Sequence, residues 1–244
     1  MSGHSHWATI RRKKGSADAK KGKQFSKIAK QIITAVRHGG PNPDDNLKLQ
    51  YAIQEARSIS MPKDTIQNAI KKGAGEKDGA SDYIEAVYEG FGPAGVSVII
   101  ATLTDNTNRT GPEVRKILEK RGGKSAPQGS VSYKFDNNGL ITVKTEVVDE
   151  DELLELMLDL GAEDVSTNSD DGVYEIITST AEFYSVVKAL EEKEIPTEVA
   201  EITMIPQTQI DIDSNTAEKL LALMDDLDEH DDVQKVYTDA NFPT

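Results

Sequence analysis

Three observations predict a multi-domain α+β protein, with an N-terminal three-helix bundle and two ferredoxin-like α/β domains, one inserted in the other. The first eighty or so of 244 residues carry apolar side chains at helical spacing and no strand pattern. Beyond them, β-branched runs alternate with amphipathic helices. One internal block reads βαββαβ, the split ferredoxin-like order, while its flanks form a complete α/β unit only when joined.

In the first block, Phe25, Ile28, Ala29, Ile32, Ile33 and Val36 recur at the spacing of one helix face. Gly39-Gly40-Pro41 ends that helix. A second helix is expected over 46–58, with Leu49, Ala52, Ile53 and Ala56 as its stripe. A third begins near Pro62, carries Ile66, Ala69 and Ile70, and stops at Gly73. Lys71 and Lys72 suit its C-terminal dipole. Short loops between short amphipathic helices make a bundle.

A Gly, Lys and Asp-rich linker (73–82) follows. Strands are then expected at 86–90, 96–104 and 131–135, with a helix at 108–121. Asn137-Asn138-Gly139 is a turn signal. The βαββαβ block has strands at 140–144, 164–167, 173–178 and 198–205 and helices at 149–160 and 181–192. A strand or linker at 209–212, a helix at 215–228 and a strand at 233–237 close the chain. The expected domains are therefore 1–79, a discontinuous α/β domain from 80–136 and 207–244, and an inserted domain over 137–206.

There is no cysteine, which excludes disulfides, thiolate metal sites and a cysteine nucleophile. No stretch is apolar and long enough for a bilayer, and no signal-peptide pattern opens the chain. A cytoplasmic protein with no membrane partner is expected.

The formal net charge of -14 argues against a polyanionic partner until its distribution is considered: residues 1–77 carry +10 and the remainder -24. The local field decides where a phosphate chain docks. Arg11, Arg12, Lys13 and Lys14 form a basic tract, continued by Lys20, Lys21 and Lys23. In the helix that follows, Lys23, Lys27, Lys30 and Arg37 share a sector opposite the apolar stripe. Clustered cations release counterions from a nucleic acid backbone, so these residues are assigned to nucleic acid, DNA or ribosomal RNA. Trp7, beside His6, either stacks on an unpaired base or anchors the N-terminal tail on the bundle. Asn106, Asn108 and Arg109 make a secondary contact set at a helix start, where Asn108 or Thr110 supplies the cap. No helix shows a clear Arg, Asn and Gln pattern at the spacing of a recognition helix.

Other motifs fail on context. Gly90-Phe91-Gly92-Pro93-Ala94-Gly95 fits G-x-G-x-x-G but leads into a strand, so it is a hairpin connection. Gly122-Gly123-Lys124-Ser125 follows a helix and lacks the leading glycine of a phosphate loop; it reads as a helix end. Asp211, Asp213 and Asn215 lack the glycine and glutamate of a calcium loop. The acidic cluster from Asp225 to Asp232 reads as a solvated face, or alternatively as a segment that holds the basic domain closed or mimics nucleic acid. No catalytic constellation, metal site or cofactor motif emerges, and a non-enzymatic protein is expected.

Several runs together resemble the YebC/PmpR family: Gly3-His4-Ser5-His6-Trp7-Ala8, Asp18 to Lys23, Met61-Pro62-Lys63-Asp64, Tyr88 to Pro93, Thr104 to Thr110, Gly129 to Tyr133 and Asp231 to Tyr237. His6 stands where that family often has Lys. The resemblance spans essentially the whole chain. It implies three domains and a cytoplasmic DNA-binding transcriptional regulator. Relatives include the mitochondrial translational activator of cytochrome c oxidase, and bacterial members are linked to relief of ribosome stalling at proline-rich stretches. A ribosome-associated role is therefore the alternative expectation.

Overall fold

The computed structural model describes residues 21–75, 82–169 and 171–243. Two compact units result. One comprises Ser16–Phe135 and Pro206–Thr244; the described part of the other is 136–205.

The first unit begins with α1 (Lys21–Gly39), α2 (Leu47–Ser58) and α3 (Lys63–Gly73). Both α2 and α3 pack on α1. Their apolar stripes form one core, in which Ile32, Leu49 and Ala56 are fully buried. Two residues set this geometry. Asn46 caps α2 by accepting from the Leu49 amide at 3.1 Å, and its amide donates to the carbonyls of Ala35 and Gly40, each at 2.8 Å. Gly73 lets α3 approach α1, because a Cβ there would lie 2.7 Å from Val36 Cβ.

The same unit holds β1 (Ile84–Phe91), β2 (Ser97–Thr104), α4 (Thr107–Lys120) and β3 (Lys124–Ala126). The β1–β2 hairpin runs in register from Ile84↔Thr104 to Phe91↔Ser97. Its connection is made by the G-x-G-x-x-G run, which leads into strand β2 as its context predicts.

The second unit contains β4 (Phe135–Lys144), α5 (Glu150–Asp159), β5 (Asp164–Asn168), β6 (Val173–Thr178), α6 (Phe183–Glu192) and β7 (Thr197–Pro206). The order β5-β6-β4-β7 is ferredoxin-like. Leu140, Ile141, Leu153, Met157, Ile176 and Leu190 are fully buried.

The chain then returns to the first unit with β8 (Ile210–Asp211), α7 (Ser214–Asp228), β9 (Val233–Thr238) and β10 (Ala240–Asn241). The first unit's sheet has the order β3-β1-β2-β9. It differs from the inserted sheet in that its two central strands are the consecutive β1–β2 hairpin, with β3 and β9 at the edges. Apolar residues of α4 and α7 (Val114, Leu118, Leu220, Leu223, Leu227) pack on Val98, Ile100 and Val236.

Two expectations are corrected. Gly122, at φ 78°, ends α4 as expected, but Lys124 and Ser125 belong to an edge strand at 124–126 that was not expected. Residues 131–135 are not a strand of this sheet: 132–134 are a 3-10 turn, and the strand begins at Phe135. The cause is Glu89. Its carboxylate, 3% exposed, accepts from the amides of Gly129 (2.7 Å), Val131 (2.7 Å) and Ser132 (3.1 Å), curling the segment around itself. Among the described residues, no helix is long and apolar enough to cross a membrane.

Candidate nucleic-acid interface

His6, Trp7, Arg11, Arg12, Lys13, Lys14 and Lys20 lie outside the described residues. Lys21 opens α1 and is exposed.

The remaining helix cations share one sector, but that sector meets an internal partner. Lys23 Nζ lies 3.1 Å from the Glu229 carboxylate and 3.5 Å from that of Asp231, and it also donates to the Glu229 carbonyl. Lys27 donates to the Asp228 carbonyl at 2.7 Å. Lys30 reaches the Asp231 carbonyl at 3.0 Å and Asp232 Oδ1 at 3.1 Å, with its ammonium 5.4 Å from the centroid of the Tyr83 ring. Arg37 pairs with Asp82. Three lysines of α1 thus converge on the C-terminal end of α7, where unsatisfied carbonyls and the helix dipole already favour cations. This corrects the picture of Lys23, Lys27, Lys30 and Arg37 as an open row. The acidic cluster is correspondingly more than a solvated face: at 228–232 it holds the basic helix. Arg121 covers another part of it through two contacts to Asp226, at 2.7 and 2.8 Å.

Asp232 is the centre of this contact, with its side chain 5% exposed. It accepts from Arg109 (2.5 Å), Thr110 (2.9 Å), Thr104 (3.0 Å) and Lys30 (3.1 Å). Burial works to raise the pKa of this carboxyl, but the hydrogen bonds from Arg109, Thr110, Lys30 and Thr104 outweigh it and hold the group well below the usual carboxylate range. Most of the Thr104–Thr110 run is explained by this hub. Asn106 caps α4 by accepting from the Arg109 amide at 3.2 Å, in place of Asn108 or Thr110. Arg109 is committed to Asp232 and, at 3.0 Å, to Asp105. Of the secondary contact set, only exposed Asn108 has no structural role in the hub.

A cleft of about 760 Å³ opens beside the hub. Its cations, Lys23, Lys30, Arg109 and Lys116, face five carboxylates, so its lining lacks the excess positive charge that a phosphate site requires.

Other cations of the bundle are unspent. Arg57, Lys63 and Lys71 are exposed and Lys72 is half-buried. Among the described residues, the bundle's ion pairs run through Lys23, Lys30, Arg37, Lys48 and Glu55, none through these four. Sequence reasoning took Lys71 and Lys72 only as dipole partners of a helix end. Projecting 63–72 on a helical wheel carries the further signal, because Lys63, Gln67 and Lys71 then fall in one outward row.

Comparison with known proteins gives a consistent result over the whole chain. A family model described as the TACO1/YebC protein N-terminal domain matches residues 5–76, and one described as the TACO1/YebC second and third domain matches 83–240. A protein of Desulforapulum autotrophicum called a probable transcriptional regulatory protein is 49% identical over 243 residues, covering 100% of this chain and 97% of its own. One of the same description from Geobacter sulfurreducens is 49% identical over 242 residues, covering 99% and 96%. The crystal structure of a conserved hypothetical protein from Aquifex aeolicus aligns with a TM-score of 0.80 at 44% identity, over 93% of each chain.

Proposed function

The chain belongs to the TACO1/YebC family, and on that premise we propose that it is a non-enzymatic cytoplasmic regulator of transcription that acts by binding DNA. The observation that carries this reading is the segregation of charge: +10 over residues 1–77 against -24 over the rest. A phosphate chain is attracted to one pole and repelled elsewhere. With Lys23, Lys27 and Lys30 held at the end of α7, the tract Arg11 to Lys14 with Lys20 is the part of the assigned surface that meets phosphate. His6 and Trp7 flank it in sequence.

A second reading, a ribosome-associated translation factor gripping ribosomal RNA, is supported by the make-up of that tract. Arg11-Arg12-Lys13-Lys14 is a block of cations without interleaved amide side chains, which suits recognition by shape and phosphate more than by base.

The test is recovery of the native full-length protein, with sequencing of the nucleic acid bound to it and sedimentation against ribosomes. Enrichment of promoter DNA that persists at about 0.2 M salt supports the first reading, since nonspecific binding weakens steeply with salt. Comigration with ribosomes supports the second. Neither nucleic acid, together with unchanged regulation after alanine replacement of Arg11 to Lys14, refutes both.

A further inference from the structure

We propose that the outward face of α3 is the surface that enters the major groove of duplex DNA, with α2 and α3 acting as a helix–turn–helix pair. The inference rests on the DNA-binding reading and names the element that carries it.

The connection comes first. Four residues, 59–62, separate Ser58 at the end of α2 from Lys63 at the start of α3. The turn is tightly built. Ser60 takes a left-handed conformation (φ 59°), the Met61 amide donates to the Ala56 carbonyl at 2.9 Å, and the Met61 side chain is 5% exposed. Both helices also pack on α1. A short turn joining two helices braced by a third is the arrangement in which the later helix reads DNA.

The face comes next. α3 buries Ile66, Ala69 and Gly73 and leaves Lys63, Asp64, Gln67, Asn68 and Lys71 exposed. At about 100° per residue, Lys63, Gln67 and Lys71 lie in one row about 80° wide, with Asp64 and then Asn68 beside Lys71, and Lys72 about 100° beyond Lys71. From Lys63 to Lys71 the row spans about 12 Å along the helix axis, close to the width of the major groove. Its two ends therefore meet the phosphates on either side, while Gln67 sits midway, where an amide can donate to and accept from an adenine edge. Among the described residues Lys63, Lys71 and Lys72 form no ion pair, unlike Lys23 and Lys30 of α1. Asp64 is the one acidic group on the face, and it lies in the first helical turn, where the dipole favours it. The deep, narrow major groove of duplex RNA does not admit a helix, so DNA is the occupant this geometry fits.

The experiment uses the full-length chain and fluorescently labelled duplexes of one mixed sequence, as DNA and as RNA, titrated across salt. The variant K63A/K71A/K72A keeps the buried face of α3. It is expected to bind duplex DNA at least tenfold more weakly, with a salt slope smaller by about two to three, given about 0.9 per lost phosphate contact. Circular dichroism confirms that the variant remains helical. In a randomised duplex pool, wild type enriches a motif that Gln67→Ala loses at one position. A triple variant with wild-type affinity and slope overturns the proposal and leaves the DNA-binding reading intact. A wild-type chain that binds neither duplex overturns both. Equal losses on DNA and RNA overturn the groove assignment, and a wild type that binds DNA without enriching any motif overturns the role of Gln67.

Discussion

Asp232 offers the sharpest test of how the first unit is held together. In Asp232→Asn the shape is kept, but an acceptor-only carboxylate becomes an amide whose NH2 group confronts donors. Four hydrogen bonds converge on the native group, two from the hydroxyls of Thr104 and Thr110 and two from the cations Arg109 and Lys30. Removing the acidic member of such a buried set costs about 3–5 kcal/mol. Arg109 is 44% exposed and Lys30 20%, so water recovers part of their loss and the lower end, about 3 kcal/mol, applies. For a unit of this size that corresponds to a fall in Tm of about 6–12 °C. Because its folded pKa lies below the ordinary value of about 3.9, the charged group contributes stability that is fully present above that value and is lost as pH falls through the folded pKa. The gap between wild type and variant should therefore be widest near neutral pH and shrink below about pH 4. Calorimetry, with hydrogen exchange at the Leu103 amide that donates to the Asp232 carbonyl, reads the effect within the right unit. A loss under about 1 kcal/mol, the size of one ordinary hydrogen bond, refutes the reasoning. So does a gap unchanged down to pH 3.

Two further outcomes follow from buried polar groups. Asn46→Ala removes the cap of α2 and leaves the Ala35 and Gly40 carbonyls without that donor, so the bundle should lose about 2 kcal/mol, read as faster hydrogen exchange in α1 and α2. Glu89→Gln weakens the three-amide clamp on 129–132 by about 2 kcal/mol, and limited proteolysis should then cut near the exposed Tyr133. Burial raises the pKa of Glu89, but the backbone hydrogen bonds prevail and lower it, so the clamp is present above the ordinary carboxylate range and released in acid.

The fold class was legible because its signals are local and periodic. Phe25, Ile28, Ile32 and Val36 announce α1 by their spacing alone, and the βαββαβ block announces the inserted sheet. β3 was missed because three residues carry no period. The segment at 131–135 misled because its β-branched and aromatic residues answer to Glu89, forty residues earlier. The site was least legible where partners are distant. The stripe of Lys23, Lys27 and Lys30 was visible, but nothing local reveals that its partners stand about two hundred residues later. Likewise, Thr110 reads as a cap until Asp232 is seen to claim its hydroxyl.

The inserted βαββαβ block leaves and rejoins the first unit at neighbouring points, since the Gln207 amide donates to the Lys134 carbonyl at 2.9 Å. A loop only a few residues long could bridge these ends, so removal of the block should leave the flanking unit able to fold. Shortened and swapped versions of the chain can thus separate what the flanking unit does alone from what its guest contributes.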